Sequence, residues 1–436
     1  MTAAVLVNAA GGMVVRFLAL YLSGRLQLSA DQVGWTIMWY GVGVAAGGWL
    51  GSRLSDRWPP LGILLASLVL NGSSFIALGV LDSLPAITAL LLLAGIAQGS
   101  FRPSYNLGLR AIASNDVAVR GYSLYLVASN LGGSIGSALG GFLALWSFSA
   151  IFWVNGTACI LAAGVVYVAI TIVGATSRRD APPLAKPDAV PLPEVAPWQH
   201  PAFPLFIVGL CLVALTNTQA TSTYPLFLEQ VYAIGPAGLG LIFSLGSLII
   251  VLFQVPLSTW SAPFDPFHRA AWGGMLLCLG YALLPVFPAG GFAAAMLLAS
   301  LSELGLMLFF PASMDILYRC AGHSNAGRYM AWYQMTFAAT TAFGPAAGGW
   351  VYTYLGGAAL WGACGVAGFL TGAALIASRW FDRTSTPSDS SSDNDNLALG
   401  RRGRDGNALE RDRTSLVPPQ VTERAGKARE TLCKLD

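Results

Sequence analysis

Residues 85–107 read PAITALLLLAGIAQGSFRPSYNL, and this composition determines the class of fold. The run contains one charged side chain, Arg102. As an α-helix it would be roughly 35 Å long at about 1.5 Å per residue. The hydrocarbon core of a bilayer is about 30 Å thick, so the run predicts a membrane-spanning helix.

The same composition extends over most of the 436 residues, of which 55% are hydrophobic and only 10% are charged. Soluble domains carry about 25% charged residues, so a soluble globular protein is excluded. We therefore predict an all-α membrane protein with twelve transmembrane helices. The predicted spans are residues 3–22, 33–52, 60–80, 85–107, 121–145, 149–173, 203–226, 237–257, 270–288, 291–312, 329–353 and 357–379.

The connections between these runs differ in positive charge. Those after the second, fourth, sixth, eighth and tenth runs carry ten Lys and Arg residues, whereas the opposite connections carry Arg25 alone. Positive connections stay on the cytoplasmic side. We expect a multi-pass protein of the plasma (inner) membrane with both termini in the cytoplasm.

Two polar stretches divide the chain. Residues 174–201 are rich in proline and predict a semi-rigid cytoplasmic linker between residues 1–173 and residues 202–383, each with six runs. Residues 384–436 are rich in Ser, Asp, Arg and Asn and contain no aromatic residue, which predicts a disordered cytoplasmic tail.

The two six-run halves repeat one another. An offset of 208 residues places Phe101 on Phe309 and Pro103 on Pro311. The repeat predicts two pseudo-symmetric six-helix bundles in parallel orientation, an arrangement typical of secondary transporters that bind substrate between the halves. A duplicated membrane protein without transport activity is the alternative.

Other functional classes find little support. The net charge is only +3 and the basic residues form no stripe, so we expect no nucleic-acid partner. The chain lacks a phosphate-binding G-x-x-x-x-G-K-[ST] loop, so we expect no ATP. The three histidines form no cluster with the six single cysteines along the sequence, so we expect no metal and no cofactor. The spans contain no nucleophile–base set, so an intramembrane enzyme or receptor is the least favoured hypothesis.

A family resemblance appears in the connection after the second run. Residues 51–57, GSRLSDR, resemble the G-x-L-a-D-R loop of the major facilitator superfamily. Ser52 replaces one glycine of that loop, and Pro59 and Pro60 replace the usual glycine and basic residue afterwards. The resemblance implies the major facilitator fold and transport by alternating access.

Small residues recur every four positions in the fifth and eleventh runs, which lets helices approach closely, and a proline bends a helix. The fifth run resembles the G-x-x-x-G-P-x-x-G-G motif of the superfamily's antiporters, with Ser137 in place of its proline. The antiporter arginine of the fourth run would fall at Gly95. The resemblance is closest to the twelve-span drug:proton antiporters. Packing and hinge roles both stay open for Gly132, Gly136, Gly140, Gly344, Pro345 and Gly348.

Asp56 and Arg57 form a candidate cytoplasmic gate. Asp56 could accept hydrogen bonds from the N-terminus of the eleventh helix and so hold the two halves together. Arg57 would add a partner or simply contribute to the positive-inside bias.

Two charges lie away from the ends of predicted spans, where an ionisable residue is costly and is a candidate for function. Glu303 is the only carboxylate near the middle of a span, and desolvation favours the neutral form that carries a proton. Arg16 could pair with Glu303, bind an anionic substrate group, or extend towards the outer interface. A purely structural carboxylate is the alternative for Glu303.

Further polar residues in the spans could line a cavity or make helix-to-helix hydrogen bonds. Arg102, near the cytoplasmic end of its run, could also extend to the interface. These cavity candidates are Gln98, Arg102, Asn217, Thr221, Gln254, Tyr333 and Gln334.

The favoured function is proton-coupled efflux of a small, partly hydrophobic compound by a monomer in the lipid bilayer. The partners would be the small-molecule substrate and protons. The alternative is import or export of a specific polar metabolite, such as a sugar, an amino acid or a siderophore. In that case Arg16 and Glu303 would bind the substrate.

Overall fold

The computed structural model describes residues 2–55, 57–112, 115–176, 197–321 and 326–385. These residues form α-helices joined by short connections, with four short 3-10 helices and no strand in the described ranges. The α-helices are α1 Thr2–Gly11, α2 Met13–Arg25, α3 Ala30–Leu54, α4 Pro60–Leu78, α5 Leu84–Ile112, α6 Asn115–Trp146, α7 Phe148–Thr176, α8 Ala202–Thr218, α9 Thr223–Tyr232, α10 Pro236–Ser261, α11 Pro266–Ala282, α12 Gly291–Ala321, α13 Ala326–Leu355 and α14 Gly357–Ser385.

Each predicted run coincides with one helix or with a broken helix. The first run is divided between α1 and α2 at Gly12. The seventh is divided between α8 and α9 by a 3-10 turn over Gln219–Thr221 and a non-helical Ser222, and it continues to Tyr232 instead of ending at 226. The two breaks lie about 208 residues apart, so the backbone follows the sequence repeat.

Nine helical segments in the described ranges are long and apolar enough to cross a membrane. The predicted spans that fall short of this measure correspond to α3, α6 and α13. These three helices are rich in glycine and other small residues. They carry the close contacts between the halves described below.

Local chemistry determines where several helices begin. Ser29 and Gln32 form a reciprocal capping box at the start of α3. Pro60 and Pro236 occupy the first turns of α4 and α10, where a missing N–H costs nothing. The side chain of Asp265 accepts a hydrogen bond from the backbone N–H of Phe267 and caps α11.

The repeat is also visible in buried polar contacts. Cys159 lies 3.6 Å from Asn8 Oδ1 and 3.8 Å from Asn71 Nδ2 in the N-terminal half. In the C-terminal half Cys278 lies 3.7 Å from Thr216 Oγ1, and offsets of 208 and 207 relate Thr216 and Cys278 to Asn8 and Asn71. Equivalent positions therefore hold equivalent polar contacts.

The two halves meet mainly where α3 packs on α13 and α6 packs on α10. The closest approaches lie towards the end of the bundle at which α2 ends and α3 begins, which we call the outer end after its predicted orientation. There Gly34 lies against Pro345, and Gly41 lies against Thr341. Gly141 of α6 lies against Pro236 and Gly240 of α10. We call these two contact lines the outer seams.

Residues 177–196 and 386–436 lie outside the described residues. They contain most of the predicted linker and tail. The three boundaries between the four predicted segments stay predictions.

Candidate functional site

Arg16 of α2 joins the two halves at the inner edge of the seam between α6 and α10. Its guanidinium donates to Ser137 Oγ of α6, in its own half. It also reaches Ser247 Oγ of α10 at 3.4 Å and the Phe243 carbonyl oxygen at 3.5 Å, both in the other half. The Phe243 ring lies under the same guanidinium, with 5.3 Å from Cζ to the ring centroid. Arg16 therefore points into the seam, and the alternative that it extends towards the interface is wrong.

Glu303 of α12 packs against the same turn of α10, at Gly246, the residue before Ser247. A Cβ added at Gly246 would lie 3.0 Å from Glu303 Oε1, so the carboxylate rests on the bare backbone of that glycine. Glu303 Oε2 is buried and has no hydrogen-bond partner in the described structure. A buried polar atom without a partner is uncommon in native structures and is available to a proton, water or ligand.

Arg16 and Glu303 therefore both contact α10, at adjacent residues, and they form no direct ion pair with each other. Arg16 contacts Ser247, and Glu303 packs on the preceding residue, Gly246. The guanidinium is already held by several protein acceptors, whereas the carboxylate keeps one unpaired oxygen. A proton or a cationic group can approach the carboxylate more readily than an anion can approach the arginine.

An aromatic cluster in the C-terminal half lies close to this site. Tyr224 of α9 packs edge-on against Tyr281 of α11 at 5.5 Å, and Tyr281 stacks on Trp361 of α14 at 5.8 Å. Tyr224 also contacts Phe243, the ring beneath Arg16, at 6.1 Å. Tyr224 Oη and Trp361 Nε1 are buried without partners among the described residues. The cluster thus provides apolar rings together with free polar atoms.

Several predicted cavity residues instead make contacts between or within helices. Gln254 donates to the Met307 carbonyl oxygen of α12 at 3.4 Å. Tyr333 is buried and lies 3.0 Å from Ser313 Oγ. Both contacts tie neighbouring helices together, which is the structural alternative for these residues.

The other predicted cavity residues differ in environment. Gln98 accepts from Asn71 at 3.5 Å, and Thr221 donates to the carbonyl oxygen of Thr218 in its own turn. Arg102 and Gln334 are exposed, and Asn217 is partly buried. The hydrogen bonds given for Gln98 and Thr221 therefore involve neither Arg16 nor Glu303.

The glycine runs serve close packing. Gly132 and Gly136 of α6 lie against α1, where an added Cβ would come within 3 Å of backbone atoms of Leu6 and Ala10. Gly140 is buried in the same helix. In α13, Gly344 and Gly348 make room for Thr218 and Gln219 at the α8–α9 break.

Gly95 explains why this chain lacks the antiporter arginine at that position. A Cβ added at Gly95 would lie 3.0 Å from the Cα of Gly43 and closer still to the Tyr40 carbonyl oxygen. A long side chain has no space there.

Sequence reasoning missed Ser137, Ser247 and Gln219 as structural partners. Ser137 stands at the motif position where antiporters carry proline, and that departure was the one available signal. Gln219 donates to the Gly344 carbonyl oxygen at 3.1 Å and accepts from Thr223 at 2.9 Å, so it joins the α8–α9 break to α13.

The candidate cytoplasmic gate is only partly described. Asp56 lies outside the described residues, and Arg57 has an exposed side chain. The hydrogen bonds proposed for Asp56 stay a prediction.

One group of potential metal ligands becomes visible only in three dimensions. His200, which stands far from any cysteine in the sequence, lies beside Cys320 and Asp382, with ligand atoms all within 4.8 Å of one another. The three residues are separated by 62 to 182 positions in the chain. Inspection of sequence spacing could not reveal it.

The helical architecture, its repeat and the buried charges at the seam define a membrane transporter. The family model of the Major Facilitator Superfamily matches residues 1–306 and 270–418. The chain therefore belongs to the Major Facilitator Superfamily, and the expectations of a superfamily transporter and of the major facilitator fold are confirmed.

The chain is similar to two curated proteins of Bacillus subtilis (strain 168). The uncharacterized MFS-type transporter YqjV is 23% identical over 70% of this chain and 74% of that protein. The uncharacterized MFS-type transporter YttB is 22% identical over 77% of this chain and 83% of that protein.

Solved structures agree on the fold. A peptide transporter POT in complex with sulfate has a TM-score of 0.72 at 16% identity, over 88% of this chain and 94% of that chain. The nucleoside transporter NupG has a TM-score of 0.68 at 12% identity, over 87% and 97%. These relatives and neighbours are transporters, in agreement with the expectation that the chain is not an enzyme.

Proposed function

We propose that this protein is a proton-coupled exporter of small, partly hydrophobic compounds. The carrying observation is Glu303, a carboxylate beside the junction of the two halves with one buried oxygen that lacks a hydrogen-bond partner. In a bilayer interior such a group stores a proton more readily than a charge. The aromatic cluster next to it is buried in this structure, and it would provide apolar surface for a hydrophobic substrate only when the helices around it separate.

In the proposed mechanism, Arg16 couples the protonation state of Glu303 to the opening of the outer end. When Glu303 is protonated, its attraction for the guanidinium disappears, and Arg16 is free to bond Ser137 and Ser247 across the seam. When Glu303 is ionised, its negative charge attracts the guanidinium and competes with Ser137 and Ser247 for it. Proton release and binding would then bias the opening of the outer end.

The predicted topology gives this cycle a direction. With both termini in the cytoplasm, the closed outer seams face outwards and the opposite end faces the cytoplasm. Substrate would enter from the cytoplasm, and Asp56 would form its latch only after the protein changes to the other state. Arg57 would support that latch.

A polar metabolite is the second candidate substrate. It is favoured by the structural neighbours, which include a peptide transporter and a nucleoside transporter of the same fold. In that case Arg16 and Glu303 would bind charged substrate groups directly, and the compound would be either imported or exported.

The deciding experiment measures proton movement in energised everted vesicles during addition of cationic dyes, neutral antibiotics, sugars, short peptides and nucleosides. We expect proton release with hydrophobic compounds in wild type and none in Glu303→Gln at equal protein abundance. Glu229→Gln, which changes an exposed carboxylate in α9 near the outer end, is the control and should behave as wild type. Coupling that survives in Glu303→Gln would refute Glu303 as the carrier.

A further inference from the structure

Three side chains from separate segments meet at the end of the C-terminal half opposite the outer end. His200 precedes α8, Cys320 lies in the last turn of α12, and Asp382 lies in the last turns of α14. One nitrogen, one sulfur and one carboxylate oxygen lie within 4.8 Å of one another. Cys320 is 6% exposed and Asp382 is 7% exposed. Two of the three side chains are thus buried, and His200 is partly buried.

The three donor types form a ligand set that suits zinc. Imidazole, thiolate and carboxylate bind Zn²⁺ at about 2.0–2.3 Å, usually in tetrahedral geometry. Tetrahedral ligands at that distance are separated by roughly 3.3–3.8 Å. The observed separations are at most about 1.5 Å longer, a difference that side-chain rotation in three surface-near turns can remove.

A second observation points to a ligand at this place. His200 Nδ1 is buried and has no hydrogen-bond partner in the described structure. An imidazole nitrogen that is removed from water normally bonds to a neighbouring group. A ring nitrogen of His200 lies within 4.8 Å of the Cys320 sulfur and of an Asp382 oxygen, and a cation between these groups would give the imidazole a partner.

Arg319 limits which ion can bind and how. Its Nε lies 2.8 Å from Asp382 Oδ2, so the guanidinium orients the carboxylate. Carboxylates that bind metals are commonly held by such outer hydrogen bonds, and the second oxygen can serve the ion. The nearby positive charge disfavours hard cations that depend on charge alone, whereas a thiolate bond favours a thiophilic ion.

We propose that His200, Cys320 and Asp382 form a binding site for a thiophilic divalent cation of the Zn²⁺ type. The ion would tie the segment entering α8 to the inner ends of α12 and α14. Because these three segments belong to one half, the site would stabilise that half without bridging the two halves. This role is independent of the proposed substrate and of proton coupling.

The test is titration of the purified, untagged full chain with Co²⁺, which gives a thiolate-to-metal absorption band only when a cysteine sulfur binds. We expect saturation at one equivalent, loss of the band in Cys320→Ser, and affinity lowered more than about tenfold in His200→Gln. Cys211→Ser changes a half-buried cysteine in α8 and serves as the control that keeps the band. An absent band in wild type, or a band that persists in Cys320→Ser, would overturn the proposal.

A second measurement covers the case in which Cys320→Ser does not fold. In the unmodified chain, Zn²⁺ should slow the alkylation of Cys320 and should raise the thermal unfolding temperature. Mass mapping would monitor the alkylation of each cysteine. Equal alkylation rates with Zn²⁺ and with chelator would refute the site. Equal slowing of Cys211 would show a general effect and would also refute it.

Discussion

Asp31 and Thr353 exchange two hydrogen bonds across the seam between α3 and α13. The Asp31 backbone N–H donates to Thr353 Oγ1 at 3.0 Å, and that hydroxyl donates to Asp31 Oδ1 at 3.3 Å. Each residue stands at the outer end of its helix. One hydroxyl therefore acts as both acceptor and donor between the two halves.

Thr353→Val keeps the side-chain shape and removes both hydrogen bonds. Because a typical hydrogen bond contributes about 0.5–1.5 kcal/mol, the closed outer end should lose roughly 1–2 kcal/mol relative to the open one. We would measure alkylation of a reporter cysteine, Ser244→Cys, whose native hydroxyl lies 3.1 Å from Ser134 Oγ inside the second seam. Labelling should rise several-fold in Thr353→Val. Thr259→Val, which removes a hydroxyl bonded only within α10, should leave labelling unchanged.

Gly34→Ala should block closure of the outer end. The added methyl would meet the Pro345 carbonyl oxygen well inside 3 Å, and that oxygen belongs to the other half. Overpacking of about 1–3 kcal/mol corresponds to a 5- to 150-fold change in the equilibrium. Transport in vesicles should fall by roughly tenfold or more while the amount of folded protein stays normal.

Two other glycines provide the controls for this substitution. Gly164→Ala in α7 meets nothing within 4 Å and should transport normally. Gly47→Ala meets the Ile96 backbone within the same half, so it should lower the unfolding temperature in every state. Normal transport by Gly34→Ala would show that the seam does not close during the cycle.

Arg16→Lys separates a gating role from a substrate-binding role. Lysine keeps the charge and loses the planar fork that reaches Ser137 and Ser247 together. If Arg16 links the halves, the maximal transport rate should fall, the Ser244→Cys reporter should label faster, and KM should change little. A large rise in KM with unchanged labelling would instead assign Arg16 to substrate binding.

Asp265 gives the protein a predictable response to acid. Burial alone would raise the pKa of this carboxyl, but the hydrogen bond and charge of Arg379, 3.1 Å away, and the backbone N–H groups of Phe267 and His268 lower it overall. A lowered pKa contributes stability above the ordinary value of about 3.9 and loses it as the pH falls below that value.

Asp265→Asn keeps the cap of α11 and removes the ion pair. Its unfolding temperature should lie below that of wild type at pH 7 by the equivalent of at most about 1 kcal/mol, because the pair is partly exposed. The difference should shrink as the pH falls below about 3.9, because the wild-type carboxylate then becomes protonated. Asp82→Asn, in a mostly exposed pair with Arg25, should show a smaller effect, and a difference that grows in acid would contradict the argument.

The helices and the repeat could be predicted from sequence because apolar length and offset are local or linear properties. The rotation of each helix about its own axis could not be predicted in this way, since it depends on packing between helices. A direct pair of Arg16 and Glu303 was one of the alternatives from sequence, yet the two side chains contact adjacent residues of α10 instead. Tyr333 was expected in a cavity, yet its hydroxyl lies against Ser313 within the helix packing.

The outer seams bring bare backbone against bare backbone, as at Gly34 with Pro345 and at Gly141 with Gly240. Such a contact freezes almost no side-chain torsions when it forms and releases almost none when it separates. The conformational entropy of side chains thus contributes little to either direction of the movement. In the proposed transport cycle, these contacts would therefore separate and form again with little rearrangement of side-chain rotamers.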